Sequence, residues 1–345
     1  MFDGLRVLVT GGTGSLGKMV VRRLLAASSR RPARVTVFSR DEAKQHEMRL
    51  SYLHRTSATD DIIYRHSQEL LSFRIGDVRD YSATARAVAD ADVVVHAAAL
   101  KQVPSCEYFP AEAVATNILG AMNIVRAIRE GRLPVQVVAG ISTDKACKPI
   151  NVMGMTKAVM ERIFVEANLG SAETRFVCVR YGNVIASRGS VVPLFVEQVA
   201  TGGPVTITLR EMTRFLLSLD RAVDTVFAAI EHALPGETYV PRVPAARVVD
   251  VAEALIDGRD VPIVVTGIRP GEKLHEIMVS EEECYRTVER AGYYVICPML
   301  PELRRQVVDV PALQSEYSSS QVTLGLAELR TLLATYTGTG SQSEE

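Results

Sequence analysis

The 345-residue sequence carries almost no excess charge: 39 Lys and Arg stand against 40 Asp and Glu, and no run reaches five residues of one sign. Binding to a nucleic-acid backbone draws on a concentrated basic patch, so that class of partner is not expected. Long apolar runs are also missing. The longest, such as DVVVHAAAL at 92–100, fall far short of the ~20 residues that a bilayer-spanning helix needs, so no membrane span is expected. Cys106, Cys147, Cys178, Cys284 and Cys297 are widely spaced with no CxxC, and the six histidines form no HxxxH pair. Neither a metal nor a disulfide framework is expected. Cys147 reads as a small packing residue. No apolar signal region precedes the first strand, which begins by Leu5, and internal repeats are absent, so the expected compartment is the cytoplasm. What is present is a globular composition, 47% apolar and 23% charged, which argues against disorder and leaves room for two lobes.

Short β-branched runs alternate with longer helical patterns: LRVLVT, then 15–27; ARVTVF, then 41–52; LLSFRI, then 80–90; DVVVHA, then 111–130; VQVVAGI, then 149–167; RFVCVRY. Continuous apolar strands separated by helices predict an α/β fold, a doubly wound parallel Rossmann sheet covered on both faces. Residues 1–183 are expected to form this dinucleotide-binding domain, completed by part of 215–260, with the strand-like TYVPR at 238–242 returning to the sheet. The stretch 184–345 is expected to form a smaller C-terminal substrate-binding lobe and tail, with short strands around 204–208 and 213–219 and a helix at about 220–233. The region of about 52–70 lacks a clean period and reads as a surface excursion.

VLVTGGTGSLGKMVVRRLL places Gly11, Gly14 and Gly17 between the first strand and a helix, with Thr13, Ser15 and Leu16 completing the loop. Glycines there permit the tight turn and the close approach of a pyrophosphate, which a helix N-terminus favours. The second strand ends in Ser39 and Arg40 rather than in the acid that holds an NAD ribose. A hydroxyl and a guanidinium suit a 2′-phosphate, which favours NADP, while Asp41 keeps NAD open. Asp77 and Val78 are placed to flank the adenine, although Asp77 also suits an N-cap. Ala97, Ala99 and Lys101 follow the fourth strand and complete the expected cofactor set.

With TGGTGSLG, HAAALKQVPSCEYFPAEAVATN, STDKACKPINVMGMTK, RYGNVIASRGSVVPLF, MTRF and IRPGEKLHE in this order, the chain resembles the extended short-chain dehydrogenase/reductase superfamily. More narrowly, it is similar to the soluble UDP-N-acetylglucosamine 4,6-dehydratases that invert C5. The resemblance covers about 5–320 and implies a UDP-N-acetylglucosamine substrate, bound NADP, a product destined for surface polysaccharide and a homo-oligomer, hexamer or dimer. It also implies a departure: where the superfamily carries Tyr-x-x-x-Lys, this chain has Met153 four residues before Lys157. Methionine keeps the packing and loses the proton carrier, and some dehydratases of this group are similar in having it.

Dehydration across C5 and C6 needs a ketone at C4 to acidify the C5 proton, a base at C5, an acid at C6 and a route for the O4 proton. The resemblance assigns the acid to Asp144 and the base to Lys145, with Thr143 holding O4 and Lys157 the cofactor ribose. Met153 is expected either as an apolar wall or as packing. Reference pKa values of about 3.9 and about 10.4 favour the opposite ionisations, by ~6.5 units or ~9 kcal/mol. A dry pocket, with Lys157 further lowering Lys145, is expected to close this gap. For the nucleotide end the candidates are Asn183, Arg188, Val192, Arg214, Arg269 and Glu272, with Lys101 facing cofactor or substrate. A UDP-sugar 4-epimerase and a non-catalytic NADP-binding regulator are the rival readings.

Overall fold

The computed structural model describes residues 1–27, 31–52, 70–171, 173–185, 191–304 and 310–337. The unperiodic stretch of about 52–70 lies outside the described residues except at its ends.

The six β-branched runs form β1 (Arg6–Thr10), β2 (Arg34–Ser39), β3 (Leu71–Ile75), β4 (Val93–His96), β5 (Val137–Thr143) and β6 (Arg175–Tyr181). They pair parallel in the order β3-β2-β1-β4-β5-β6, the doubly wound arrangement expected. Alternation sends successive side chains to opposite faces, and both faces are covered. Val7 and Val9 pack with Val93 and Val95 in one core, while Leu8 and Val94 join a second core on the other side. The order reverses between β1 and β4, which opens a crevice at the carboxyl ends of the strands.

Strands β7 (Val205–Ile207) and β8 (Thr213–Phe215) leave the sheet, and the helix Leu219–His232 packs back onto it through Ala222, Val223 and Val226. Next, β9 (Thr238–Pro241) pairs parallel with β6, as the TYVPR pattern suggests. Strands β10 (Ala245–Arg247), β11 (Ile263–Val265) and β12 (Ile277–Val279) pair with β8, β7 and β15 (Tyr317–Ser318). The smaller lobe closes around Phe195, Ile207, Val251, Leu255 and Leu329. The hairpin of β13 (Thr287–Arg290) and β14 (Tyr293–Ile296) extends the main sheet antiparallel beyond β9. No sequence pattern announced it, because its two-residue turn is Ala291-Gly292, with φ of 50° and 79°, rather than the usual Asn-Gly.

Two helices differ from their sequence patterns. The fifth strand is followed by a short helical turn, and the long helix starts only at Val152, because Asn151 caps it by accepting from Gly154 N at 2.8 Å. The stretch expected as a helix over 111–130 contains a π-helical turn at Val114–Leu119. There the Asn117 side chain bonds Leu100 N at 2.8 Å, Leu100 O at 3.0 Å and Thr156 Oγ1 at 3.0 Å, fastening the loop after β4 to the helix Val152–Ala167. Among the described residues no helix is long and apolar enough to cross a membrane.

A buried guanidinium fixes the sheet to the C-terminal segment. Arg180 of β6 donates to Glu161 at 2.7 and 3.1 Å, to Glu283 at 2.7 and 2.9 Å, and to Met278 O at 2.8 Å. Replacing Arg180 with Met strands two buried carboxylates and should cost about 3–5 kcal/mol of unfolding free energy at pH 7. Burial alone would push Glu283 up, yet Arg180 outweighs it and holds the carboxyl down at about 2, below its ordinary 4.5. The pairing therefore stabilises fully above that ordinary value and is lost as the pH falls through about 2. Urea unfolding followed from neutral to strongly acidic pH should show the gap between wild type and Arg180→Met narrowing across that window.

Candidate active site

The glycine loop forms a cradle that side chains would fill. Gly11 has φ +65°, and a Cβ there would fall 2.7 Å from Ala98 N; a Cβ on Gly17 would fall 2.5 Å from Gly11 O. The helix Ser15–Ala26 starts directly against this turn. From here a cleft of about 840 Å³ runs along the carboxyl ends of the strands. Thr13, Ser15, Leu16, Ser39, Arg40, Asp77, Val78, Ala97, Ala99 and Lys101 line it with the glycines, followed by Thr143, Lys145, Met153 and Lys157, then Asn183, Arg269 and Glu272. Lys44, Thr116 and Tyr181 also line it, and the sequence reading passed over them.

At the β2 end, Arg40 lies 3.6 Å from Asp77, and Asp41 is engaged by Lys44 at 2.6 Å. The Ser39 hydroxyl accepts from Gln45 at 3.1 Å. Asp77 does not cap the next helix; Asp80 does, accepting from Ala83 N at 3.2 Å. Burial works to raise Asp77, but Arg79 and Arg40 outweigh it and leave the carboxyl below its ordinary range.

Beyond β5 the geometry tightens around Lys145. Its ammonium meets Asp144 Oδ1 at 3.0 Å, Glu276 Oε1 at 3.1 Å and Asn183 Oδ1 at 3.3 Å, which occupies all three donors. Asp144 is completely buried, and its Oδ1 also accepts from Thr143 Oγ1 at 2.9 Å. Asp144 Oδ2 and Glu276 Oε2 are buried without partners among the described residues. Burial pushes Asp144 up, and Glu276 acts in the same direction against Lys145, with a net rise. Burial opposes the Lys145 charge, but Asp144 and Glu276 together raise it. Glu276 is lowered, since Lys145, Arg214 and Lys273 outweigh its burial.

This corrects one expectation. The dry pocket does not lower Lys145, because Asp144 and Glu276 outweigh its burial, and the cations that bear on it are Arg214 and Lys273 instead of Lys157. Lys157 is itself 5% exposed, meets the Met160 sulfur at 2.9 Å, and has no carboxylate within ion-pair distance among the described residues. Burial pushes it down to about 8. Met153 lines the cleft and is 5% exposed, packed against Cys106 and Ala113. Cys147 is buried, and burial raises its thiol to about 12, as suits a packing residue.

At the far end, Arg269 is largely exposed and lies 4.0 Å from Glu272, whose Oε2 is buried and unpartnered among the described residues. Two implied substrate residues stand away from the cleft lining. Val192 is buried in the core of the smaller lobe, and Arg214 turns inward to Thr213 O at 2.7 Å and to Glu276 at 3.9 Å. Arg188 lies outside the described residues. Glu276 is a further residue that the sequence reading missed, although it closes the IRPGEKLHE motif already noted. Among the described residues no cluster of three His, Cys, Asp or Glu side chains is arranged to hold a metal.

A model of a family described as polysaccharide biosynthesis protein matches residues 7–298. The chain belongs to this family. It is 41% identical over 303 residues to a UDP-N-acetylglucosamine 4,6-dehydratase (inverting) of Campylobacter jejuni, covering 87% of this chain and 85% of that one. It is 42% identical over 301 residues to a UDP-glucose 4-epimerase of Rickettsia typhi, covering 86% and 84%. Among solved structures, Pen from Bacillus thuringiensis superposes with a TM-score of 0.85 at 32% identity, over 98% and 99% of the two chains. The dTDP-glucose 4,6-dehydratase DesIV of Streptomyces venezuelae shares the fold, with a TM-score of 0.67 at 19% identity over 98% of each chain. The 4,6-dehydratase resemblance drawn from the motifs agrees with this family match and with these relatives.

The glycine cradle and the unpaired Lys157 ammonium fit a nicotinamide dinucleotide, whose ribose hydroxyls would satisfy that buried cation. Lys157→Met should therefore weaken cofactor binding while raising stability. The depression from 10.5 to about 8 means that the folded protein resists protonation there. At ~1.4 kcal/mol per unit the penalty is about 3 kcal/mol below that folded value and fades as the lysine deprotonates in the unfolded chain too. Thermal unfolding without added cofactor should show the variant's gain at pH 7 and its disappearance toward strongly alkaline pH.

Proposed function

We propose that this protein is a UDP-N-acetylglucosamine 4,6-dehydratase that inverts C5, yielding a UDP-2-acetamido-2,6-dideoxy-4-hexulose for surface polysaccharide. The reading is carried by the pair Asp144 and Lys145 at the end of β5, which meets the cleft through Thr143 and Lys145. The relatives named 4,6-dehydratase support it. When bound, a nicotinamide dinucleotide supplies hydride acceptance from C4 and hydride return to C6.

Thr143 holds the substrate hydroxyl at C4 and relays the proton that Asp144 supplies, since Asp144 has no exposed surface of its own. Lys145 removes the C5 proton once the C4 ketone has acidified it. Asp144, favoured in its acid form by burial, supplies the proton that lets the C6 hydroxyl leave as water, passed on by Thr143. Met153 gives the sugar an apolar wall and excludes water, so the proton traffic runs through residues 143–145 instead of through a phenol. Lys157 and Lys101 hold cofactor ribose, and Asn183, Arg269 and Glu272 bind the nucleotide sugar, joined by Arg188. Arg214 acts on this site from behind, through Glu276.

Arg40 and Lys44 beside the end of β2, with Asp41 neutralised by Lys44, favour NADP over NAD. Five buried free cysteines agree with a reducing, cytoplasmic setting. Exposed Val114 and Leu119 of the π-helical turn and Met122 of the helix Gly120–Gly131 that continues it, together with Met155 and Val159 of the helix Val152–Ala167, support a homo-oligomer, dimer or hexamer.

Incubation with UDP-N-acetylglucosamine in deuterated water should give a 4-keto-6-deoxy product carrying deuterium at C5, read by NMR and mass spectrometry. The epimerase reading, which the Rickettsia relatives favour, predicts a C4 epimer instead, and the regulatory reading predicts no turnover. Arg40→Ala should weaken NADP binding by about 10- to 100-fold, the worth of a charge-assisted contact, while NAD affinity measured by calorimetry stays nearly constant.

A further inference from the structure

The Asp144–Lys145 pair has a third ionisable partner. Glu276 is 2% exposed and stands just before β12, where Ser319 Oγ accepts from its backbone N–H at 2.9 Å and Ser319 N donates to its carbonyl at 2.8 Å. Its Oε1 lies 3.1 Å from Lys145 Nζ, and its Oε2 has no partner among the described residues. The charged groups facing it are Lys145 and Asp144 after β5, Arg214 of β8 and Lys273 of its own segment. Arg214 Nε is 3.9 Å away, and Lys273 is directed to Cys147 O at 2.5 Å.

A lysine whose three donors are all engaged rests as an ammonium and has no lone pair for a C5 proton. It must first pass one proton to a neighbour. Asn183 offers an amide oxygen, which is too weak a base, and Asp144 is needed in its acid form. Glu276 remains.

We infer that Glu276 is a positioning residue for the proposed dehydration: ionised against Lys145, it keeps Asp144 protonated and accepts the proton that frees the Lys145 amine. This deepens the dehydratase reading and rests on it. In the step, a Lys145 N–H bond breaks and an O–H bond forms on Glu276. The amine then takes the C5 proton, and the C5–H electron pair becomes the C5–C6 double bond. The C6–O bond breaks, and the departing oxygen takes the Asp144 proton through Thr143 to leave as water. Asp144 ends as carboxylate, Lys145 as ammonium and Glu276 as acid, so charge is conserved.

The test is Glu276→Gln in the cofactor-loaded protein, which keeps shape and an acceptor but loses the charge. Infrared difference titration, with the Asp144 carboxyl band identified by its loss in Asp144→Asn, should show Asp144 ionising at a pH lower by about one unit or more. Removing the negative neighbour lowers Asp144 and Lys145 alike, so both limbs of the kcat profile on UDP-N-acetylglucosamine should move to lower pH with KM little changed. An Asp144 titration that stays in place in the folded variant overturns the inference, as does a profile that drops in height without moving. If Glu276→Gln does not fold, Glu276→Asp, which withdraws the charge by one methylene, should move the band in the same direction by less, and no movement overturns the idea. The carboxyl titration needs no turnover. A shifted band in a protein inactive on UDP-N-acetylglucosamine would therefore count against the dehydratase reading alone, and an unshifted band in an active one against Glu276 alone.

Discussion

One ammonium shared by two buried carboxylates governs this site. Lys145 faces Asp144 and Glu276 at nearly equal distances, in a space where neither acid has water to fall back on. Charges that close interact strongly once solvent is excluded, and the price of their burial is offset only if geometry holds all three together. The fold provides that geometry at a distance. Arg180 grips Met278 O, two residues beyond Glu276, and Glu283, while Ser319 pins the Glu276 backbone. The carboxylate therefore meets Lys145 at the end of a braced strand, where a loose surface loop would let it swing away.

The replacement of tyrosine by methionine at position 153 is intelligible against that arrangement. A phenol one helical turn before Lys157 would share a proton with it and with the substrate. With Met153 in place, Lys157 is left as an isolated cation depressed by burial, suited to hold hydroxyls and poorly suited to carry an O4 proton onward alone. On the proposed mechanism, proton handling falls to residues 143–145, where Asp144 contacts both the Thr143 hydroxyl and the Lys145 amine, and these two side chains join the buried acid to the cleft.

Most of the sheet was legible because its strands are buried on both faces and so read as continuous apolar runs separated by helices. The glycine loop, Arg40, Lys101, Thr143 and Lys145 follow strand ends and reach one cleft, joined there by Met153 and Lys157 of the helix Val152–Ala167 and by Arg269. What escaped was set by tertiary contact. The β13–β14 hairpin consists of two four-residue strands joined by an Ala-Gly turn, too short and too atypical to register. Val192 carried no sign that its helix would face the core of the smaller lobe. Glu276 stands far from Lys145 in the chain, and no local spacing shows that a carboxylate from one segment will meet a lysine from another.

The IRPGEKLHE segment joins two tasks usually considered apart. Arg269 and Glu272 line the end of the cleft proposed for the nucleotide, and Glu276, on the same segment, touches Lys145. Gly271, at φ +80°, lets the chain turn between Arg269 and Glu272, and its carbonyl accepts from Asn151 Nδ2 at 2.7 Å. The same Asn151 caps the helix that carries Met153 and Lys157. One amide side chain thus ties the helix of Lys157 to the segment bearing Arg269, Glu272 and the third carboxylate. A ligand that pulls on Arg269 acts on a backbone anchored at both ends, so its binding energy has a short mechanical route to the spacing between Glu276 and Lys145. At separations near 3 Å in a dry site, a few tenths of an ångström change the proton affinities of all three groups. On the proposed function, grip on the nucleotide and readiness of the base are then properties of one stretch of chain.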